Sequence, residues 1–215
     1  MAAPRLLGIH GLPRAGKDTL ADQFVEREGF VKLAFADPLY QEISDAFDVS
    51  VQDLRSDAWK RNPQSALEIR RTADKGFQAQ MTKLGMFLDE PLSSRSILQL
   101  WGTEYRRRLC GDDYWVGKMI GRIRSYGGKQ DIVLTDLRET VEAAMGHWKV
   151  SRGKFRDFRI VEVLRQGVSP TAHSSDRGLC RFLIDATVRN TGTPEHLYRT
   201  TLETLAMSRE ERSDG

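Results

Sequence analysis

The run Arg5-Leu-Leu-Gly-Ile-His-Gly11, continuing as Leu-Pro-Arg-Ala-Gly16-Lys17, constrains this chain more than any other stretch. Its apolar residues Leu6, Leu7 and Ile9 predict a buried strand, Gly11 to Gly16 a loop, and Lys17 onward a helix. Strand, glycine loop and helix in that order make a cradle for phosphate. Glycines let successive backbone N–H groups turn toward one anion, and the helix adds its unpaired first-turn N–H groups and positive dipole end. Lys17 brings a mobile point charge to the outer phosphates. The spacing Gly11-x4-Gly16-Lys17 fits the phosphate-loop pattern, with Arg14, Ala15, Asp18 and Thr19 as further residues around the anion. Asp18 stands where that pattern has a hydroxyl, which comes one place later at Thr19. Asp18 would either hold Mg²⁺, directly or through water, or simply favour the helix start.

The chain has 215 residues, room for one α/β domain with or without a helical insert. A net charge of +3, with both signs interspersed, gives no ground for nucleic-acid binding, although Arg106-Arg107-Arg108 suits an anionic ligand. The two cysteines, Cys110 and Cys180, lie far apart and follow no metal-ligand spacing. No apolar run approaches the roughly 18–20 residues of a membrane span, and the first residues read as a loose terminus without a secretory leader. The resulting expectation is a cytoplasmic protein with reduced thiols and no membrane contact.

Along the chain, a helix is predicted over Asp18–Glu28 with Gly29 as its C-terminal cap, then a strand over Phe30–Ala36. Pro38 opens a helical insert, about 38–128, with helices around Ile43–Phe47, Leu67–Arg70 and Met81–Leu88. Ser94–Leu109 reads as one helix interrupted near Gly102, and Trp115–Ser125 as another. Strands are predicted at Gln130–Asp136 and Phe158–Leu164 and from Arg181, with helices over Glu139–Trp148 and Pro194–Leu205. The charged tail from Ser208 is expected to fray. The core, about 4–37 and 129–207, is thus an α/β parallel sheet of about five strands with helices on both faces. Ligands collect at the carboxyl ends of such strands, where Gly11, Asp37, Asp136 and Arg165 fall.

Two further groups carry chemistry. On a helix, Arg95, Gln99, Gly102 and Thr103 share a face on which an arginine fork would meet phosphate and an amide a base edge. The competing reading is a solvated face. Thr135-Asp136-Leu-Arg138 closes a buried strand, so Asp136 suits a Mg²⁺-organising carboxylate and Arg138 the transferred phosphoryl group, unless Asp136 merely caps the next helix. Arg165 and the polar loop Thr171–Gly178 would close over a nucleotide. Asn190-Thr-Gly-Thr-Pro-Glu195 reads as a structural turn and helix start.

These pieces together resemble the deoxynucleoside monophosphate kinases of bacteriophages and related prokaryotic phosphate-loop kinases. The matching motifs are Gly11–Thr19, Phe35-Ala-Asp-Pro-Leu39, Arg95-x3-Gln99-x2-Gly-Thr-Glu104-x2-Arg107 and Asp112-Asp113-x-Trp115. They continue through Thr135-Asp-x-Arg138, Val163-Leu-Arg165, His173-x2-Asp176-x-Gly178 and Asp185-x4-Asn190-x-Gly192, nearly the whole chain. The resemblance implies an adenylate-kinase-like P-loop NTPase fold, three layers α/β/α, with a helical acceptor-binding insert and a short lid. It implies transfer of the γ-phosphate of ATP, with Mg²⁺, to a deoxynucleoside 5′-monophosphate. By the same match Asp18 is normal, and Lys17, Arg107, Asp136 and Arg138 are catalytic. Asp37, Arg95, Gln99, Thr103, Arg107 and Arg138 would hold the acceptor. Gly11, Arg14, Ala15, Gly16, Lys17, Asp18, Thr19 and Arg165 would hold ATP, with Asp18, Thr19 and Asp136 toward Mg²⁺. Two departures are Tyr40, where the family often has Lys, and Asp176, where it usually has Glu.

Three alternatives stay open. A related kinase would act on a hydroxymethylated pyrimidine, as nucleotide or within phage DNA, with Arg106–Arg108 and Trp101 serving the polynucleotide. Another kinase would take a non-nucleotide phosphate acceptor. From a different class, the chain would be a P-loop ATPase or nucleotide-binding regulator. DNA is a partner only under the first of these, and a homodimer is left open.

Overall fold

The computed structural model describes residues 3–126, 128–137, 142–146, 152–168, 179 and 181–213, the last six as backbone only. The chain divides into two compact units, Met1–Phe35 with Ile120–Gly215, and Ala36–Met119.

The first unit is built on a parallel five-stranded sheet of order β2-β3-β1-β4-β5. Its strands are β1 (Arg5–His10), β2 (Val31–Leu33), β3 (Ile132–Leu134), β4 (Asp157–Leu164) and β5 (Ala186–Arg189). β1 is central, pairing Leu6 with Ile132 on one side and Phe158 on the other, which is why its apolar residues run almost without interruption. Leu7, Ile9, Val133, Val161, Val163 and Val188 form the core of one face with Leu20, Ala21 and Phe24 of α1 (Lys17–Glu28). On that face α10 (Pro194–Ser213) lays Tyr198 edge-on against Phe24 at 5.1 Å, and the Tyr198 hydroxyl donates to Glu28 at 2.8 Å. Phe158 belongs to the opposite face, where the helical stretch 142–146 (α9) brings Gly146 so close that a Cβ would overlap the ring. Helices therefore cover both faces of the sheet, the three-layer α/β/α arrangement. Burying a ring such as Phe24, 2 % exposed, stabilises this unit by roughly 1.5–3 kcal/mol.

The second unit is helical: α2 (Asp37–Phe47), α3 (Val51–Arg55), α4 (Asp57–Arg61), α5 (Lys75–Lys83), α6 (Ser94–Gln99), α7 (Arg108–Cys110) and the start of α8 (Tyr114–Ser125). Its core is aromatic. Phe77 lies 4.6 Å from Trp101, which is 5.4 Å from Tyr105, among Ile43, Phe47, Leu54, Met81 and Ile97. Ser50, Ser56, Asp74 and Ser93 each accept a first-turn N–H of the helix they open, so four starts are fixed by side-chain caps.

Several expectations need correction. β2 ends at Leu33 rather than Ala36, because its sole partner among the described residues, β3, offers only three residues. Leu67–Arg70 is two 3-10 turns, Met81–Leu88 leaves the helix after Lys83, and Arg181–Leu183 is a 3-10 turn that precedes β5. The terminal helix runs past Leu205 to Ser213. The interruption near Gly102 is real: Leu100–Arg107 is wound as a π-helix between α6 and α7. There Trp115 Nε1 donates to the Gly102 carbonyl at 3.1 Å, and a side chain drawing on a helical carbonyl is a recognised cause of such irregularity.

Candidate functional site

β1 delivers the chain to the loop Gly11–Gly16, and two local facts shape that loop. Gly11 has φ +141°, and a Cβ on it would overlap the carbonyl oxygen of Val163 in β4. Gly16, the cap of α1, has φ +108°, and a Cβ there would overlap the Asn190 amide. Both sites therefore require glycine. Arg14, at φ +67°, adds a left-handed turn, and Ala15 N–H bonds the Leu12 carbonyl at 3.1 Å. Lys17, 8 % exposed, folds back so that Nζ donates to the carbonyls of Gly11 at 2.7 Å and Leu12 at 2.8 Å. The ammonium thus stands over the loop, at the carboxyl end of the central strand.

At the carboxyl ends of the strands the first unit carries Asp136 and Arg165, with Thr19 on the helix that leaves the loop. Asp136 follows β3, the neighbour of β1, and accepts the Phe35 N–H at 2.6 Å, which ties it to the chain after β2. Arg165 follows β4 and lines a cleft of 570 Å³ with Leu12, Ala15, Val163, Arg189 and Asn190. Thr19 is exposed on the first turn of α1. Asp18 is turned to a different task. Its carboxylate lies 3.2 Å from Lys32 Nζ, which also meets Asp22 at 2.9 Å. Burial alone would lower the Lys32 ammonium, but Asp22 and Asp18 hold it above its ordinary value. Arg138, His173 and Asp176 lie outside the described residues.

Two residues that the sequence reading passed over as functional belong here. His10 ends β1 and is buried; its Nδ1 faces the Leu137 carbonyl at 2.9 Å, an acceptor only, so Nδ1 carries the proton. Nε2 then accepts the Leu179 N–H at 3.4 Å, tying the end of β1 to the segment after Asp136 and to the chain before β5. A histidine closing a buried strand was the available signal. Asn190 is the other, and its side chain reaches the loop itself at Ala15.

The second unit carries the other candidates. Arg95, Gln99 and Thr103 are exposed and Arg107 is half-buried. A four-residue step overshoots an α turn of 3.6 residues, whereas a turn wound on i→i+5 bonds holds more than four, so the drift reverses after Gln99. The π-helix therefore keeps all four residues near one line over three steps. Asp37 is matched at 2.5 Å by Arg55, whose guanidinium also lies 4.7 Å above the Tyr40 ring. Arg55 thus sets a cation beside Tyr40, the position where the resemblance leads one to expect Lys.

Two of the residues considered above for a polynucleotide surface, Trp101 and Arg106, are taken up inside the helical unit. Trp101 is 1 % exposed, so it offers no face for stacking. Arg106 is turned inward, its Nε donating to Glu42 at 2.7 Å with its guanidinium 4.5 Å from the Tyr105 ring. Glu42 also accepts from Trp101, Tyr114 and Lys118. Burial pushes its carboxyl up, but these four donors outweigh it and hold the pKa at about 2. The cluster is a half-buried anchor of the helical unit.

No protein-family model matches the chain, and a search of curated proteins found no match. Among solved structures, similarity extends to an APS kinase variant of Mycobacterium tuberculosis, at 10% identity and TM-score 0.39 over 96% of this chain and 99% of that one. A gluconokinase of Sinorhizobium meliloti is similar at 11% identity and TM-score 0.40, over 99% of this chain and 98% of that one. No helix among the described residues is long and apolar enough to cross a membrane.

Proposed function

We propose that the protein is a kinase that transfers the γ-phosphate of ATP to a deoxynucleoside 5′-monophosphate. The observation that carries the reading is the Gly11–Lys17 loop, whose glycines are demanded by position and whose lysine ammonium stands over it. The loop N–H groups would hold the β- and γ-phosphates, and Lys17 would exchange its carbonyl partners for phosphate oxygens. Arg165 and the 570 Å³ cleft would receive the rest of the donor nucleotide. Arg95, Gln99, Thr103 and Arg107 would hold the acceptor, two guanidinium groups on its phosphate and the amide on a base edge.

An oxygen of the acceptor phosphate attacks the γ-phosphorus, and the bond from that phosphorus to the β–γ bridging oxygen breaks, leaving ADP. The acceptor is already anionic, so no side-chain base is needed. The work is positioning and charge neutralisation. Mg²⁺ suits this site on donor chemistry: the Thr19 hydroxyl and the Asp136 carboxylate are hard oxygens, and such an ion takes few protein ligands beside phosphate and water. When bound it would neutralise phosphate charge. Asp18, already matched by Lys32, is the weakest of the metal ligands expected from sequence.

The test is a phosphoryl-transfer screen with Mg²⁺-ATP against common and 5-modified deoxynucleoside monophosphates. Turnover of at least one supports the reading. ATP hydrolysis indifferent to every monophosphate would instead favour an ATPase.

A further inference from the structure

We propose that Asn190 is the positioning residue that sets the phosphate loop for its anion, a role that rests on reading this loop as a nucleotide site. Asn190 immediately follows β5, and its side-chain amide donates from Nδ2 to the Ala15 carbonyl at 2.8 Å across a separation of 175 residues. Its own backbone is fixed, the N–H donating to the Leu164 carbonyl at 2.7 Å at the end of β4. The amide is therefore held from the sheet.

What it grips decides where the loop's donors point. A trans peptide is planar, with the C=O of one residue and the N–H of the next on opposite sides. Pulling the Ala15 oxygen toward Asn190 turns the Gly16 N–H away from it. That N–H is one of the group opening α1, where an anion gains most from backbone donors and helix dipole. The fit is mutual: a Cβ on Gly16 would overlap Asn190 Nδ2, so the second glycine of the loop leaves room for this amide. Asn190 also lines the 570 Å³ cleft beside Arg165, so one side chain borders the cleft and holds the loop.

The chemistry of the contact allows a sharp test. A carbonyl oxygen only accepts, so the partner must donate. Mg²⁺-ATP and ADP affinities of the full chain should be measured by titration calorimetry at pH 8 and pH 5.5, with thermal melts alongside, for wild type, Asn190→Ala and Asn190→Asp. Asn190→Ala is expected to bind either nucleotide about tenfold more weakly at both pH values, the loss of one well-placed hydrogen bond. It should raise the ATP KM by a similar factor and leave the acceptor KM alone. Asn190→Asp should be worse at pH 8, where a carboxylate faces a carbonyl. It should stay worse at pH 5.5, where a carboxyl of ordinary pKa, about 3.9, is still ionised and offers no donor. Near-wild-type affinity of Asn190→Asp at both pH values would mean that only the side chain's volume matters and would overturn the proposal. A wild type that binds neither nucleotide would overturn the reading of the loop itself, a result distinct from unchanged affinity in the variants.

Discussion

Lys17 donates from Nζ to the Gly11 carbonyl at 2.7 Å, so the loop's cation rests on the loop's own backbone. A second bond, to Leu12 at 2.8 Å, makes the ammonium a brace for the loop as well as the proposed partner of phosphate. Lys17→Ala should therefore cost activity and stability together. We expect kcat to fall by at least about 100-fold, the scale on which one preorganised charge stabiliser counts. Unfolding in urea should show a loss on the order of 1–3 kcal/mol, because two carbonyls lose a charged donor. A fully active Lys17→Ala enzyme would remove the loop from the mechanism.

Gly11 and Gly29 both hold positive φ, at +141° and +70°, but their surroundings differ. Nothing lies within 4 Å of a Cβ built on Gly29, the cap of α1, so Gly29→Ala should cost only the left-handed strain, about 1–2 kcal/mol. On Gly11 the Cβ would overlap the Val163 carbonyl, which is held in the sheet beside Val188 and cannot rotate away. Gly11→Ala should lower the melting temperature well beyond Gly29→Ala and weaken nucleotide binding, whereas Gly29→Ala leaves binding unchanged. Thermal melts with and without ATP separate the two effects.

The stretch from β1 through α1 was legible in the sequence because its determinants are local: an apolar run, glycines at a fixed spacing and a capping Gly29. The parallel five-stranded sheet followed from alternating strands and helices. What lay hidden depends on partners far along the chain. Asn190 matches a family motif and reads as a turn, but its task is hidden because Ala15, its acceptor, stands 175 residues away. Arg106 read as ligand-facing, yet Glu42, 64 residues earlier, turns it inward. β2 was overlong because strand length is set by the partner, and its apolar run continues past the three residues that β3 can pair.

Glu42 gives the helical unit an acid limit. Its folded pKa of about 2 lies below the ordinary carboxylate value, so its contribution is complete above about pH 4.5 and is lost as pH falls toward 2. The full linkage is on the order of 3 kcal/mol, for a side chain only 16% exposed. Urea unfolding of the wild type should weaken across that window. Glu42→Gln should be destabilised at pH 7, where Arg106 and Lys118 lose their counter-ion, and should show a flatter dependence between pH 4.5 and 2. Equal slopes for both proteins would show that another group governs the acid limb.

Arg95, Gln99 and Thr103 are exposed along a row that the π-helix keeps straight, and exposure with no internal task among the described residues is what an acceptor face requires. Arg108, also exposed, differs in pairing with Glu104 at 3.3 Å on the same helix, which makes it the control. Arg95→Ala should raise the acceptor KM about 10- to 100-fold, the worth of a charge-assisted hydrogen bond to phosphate, with the ATP KM unchanged. Gln99→Ala should change the ratio of kcat/KM among bases more than its level for any one, since the amide pairs with a base edge and not with the phosphate. Arg108→Ala should leave both constants as they are. If Arg95→Ala instead raised the ATP KM and spared the acceptor, the row would belong to the donor nucleotide, and the division of labour proposed for the two units would be reversed.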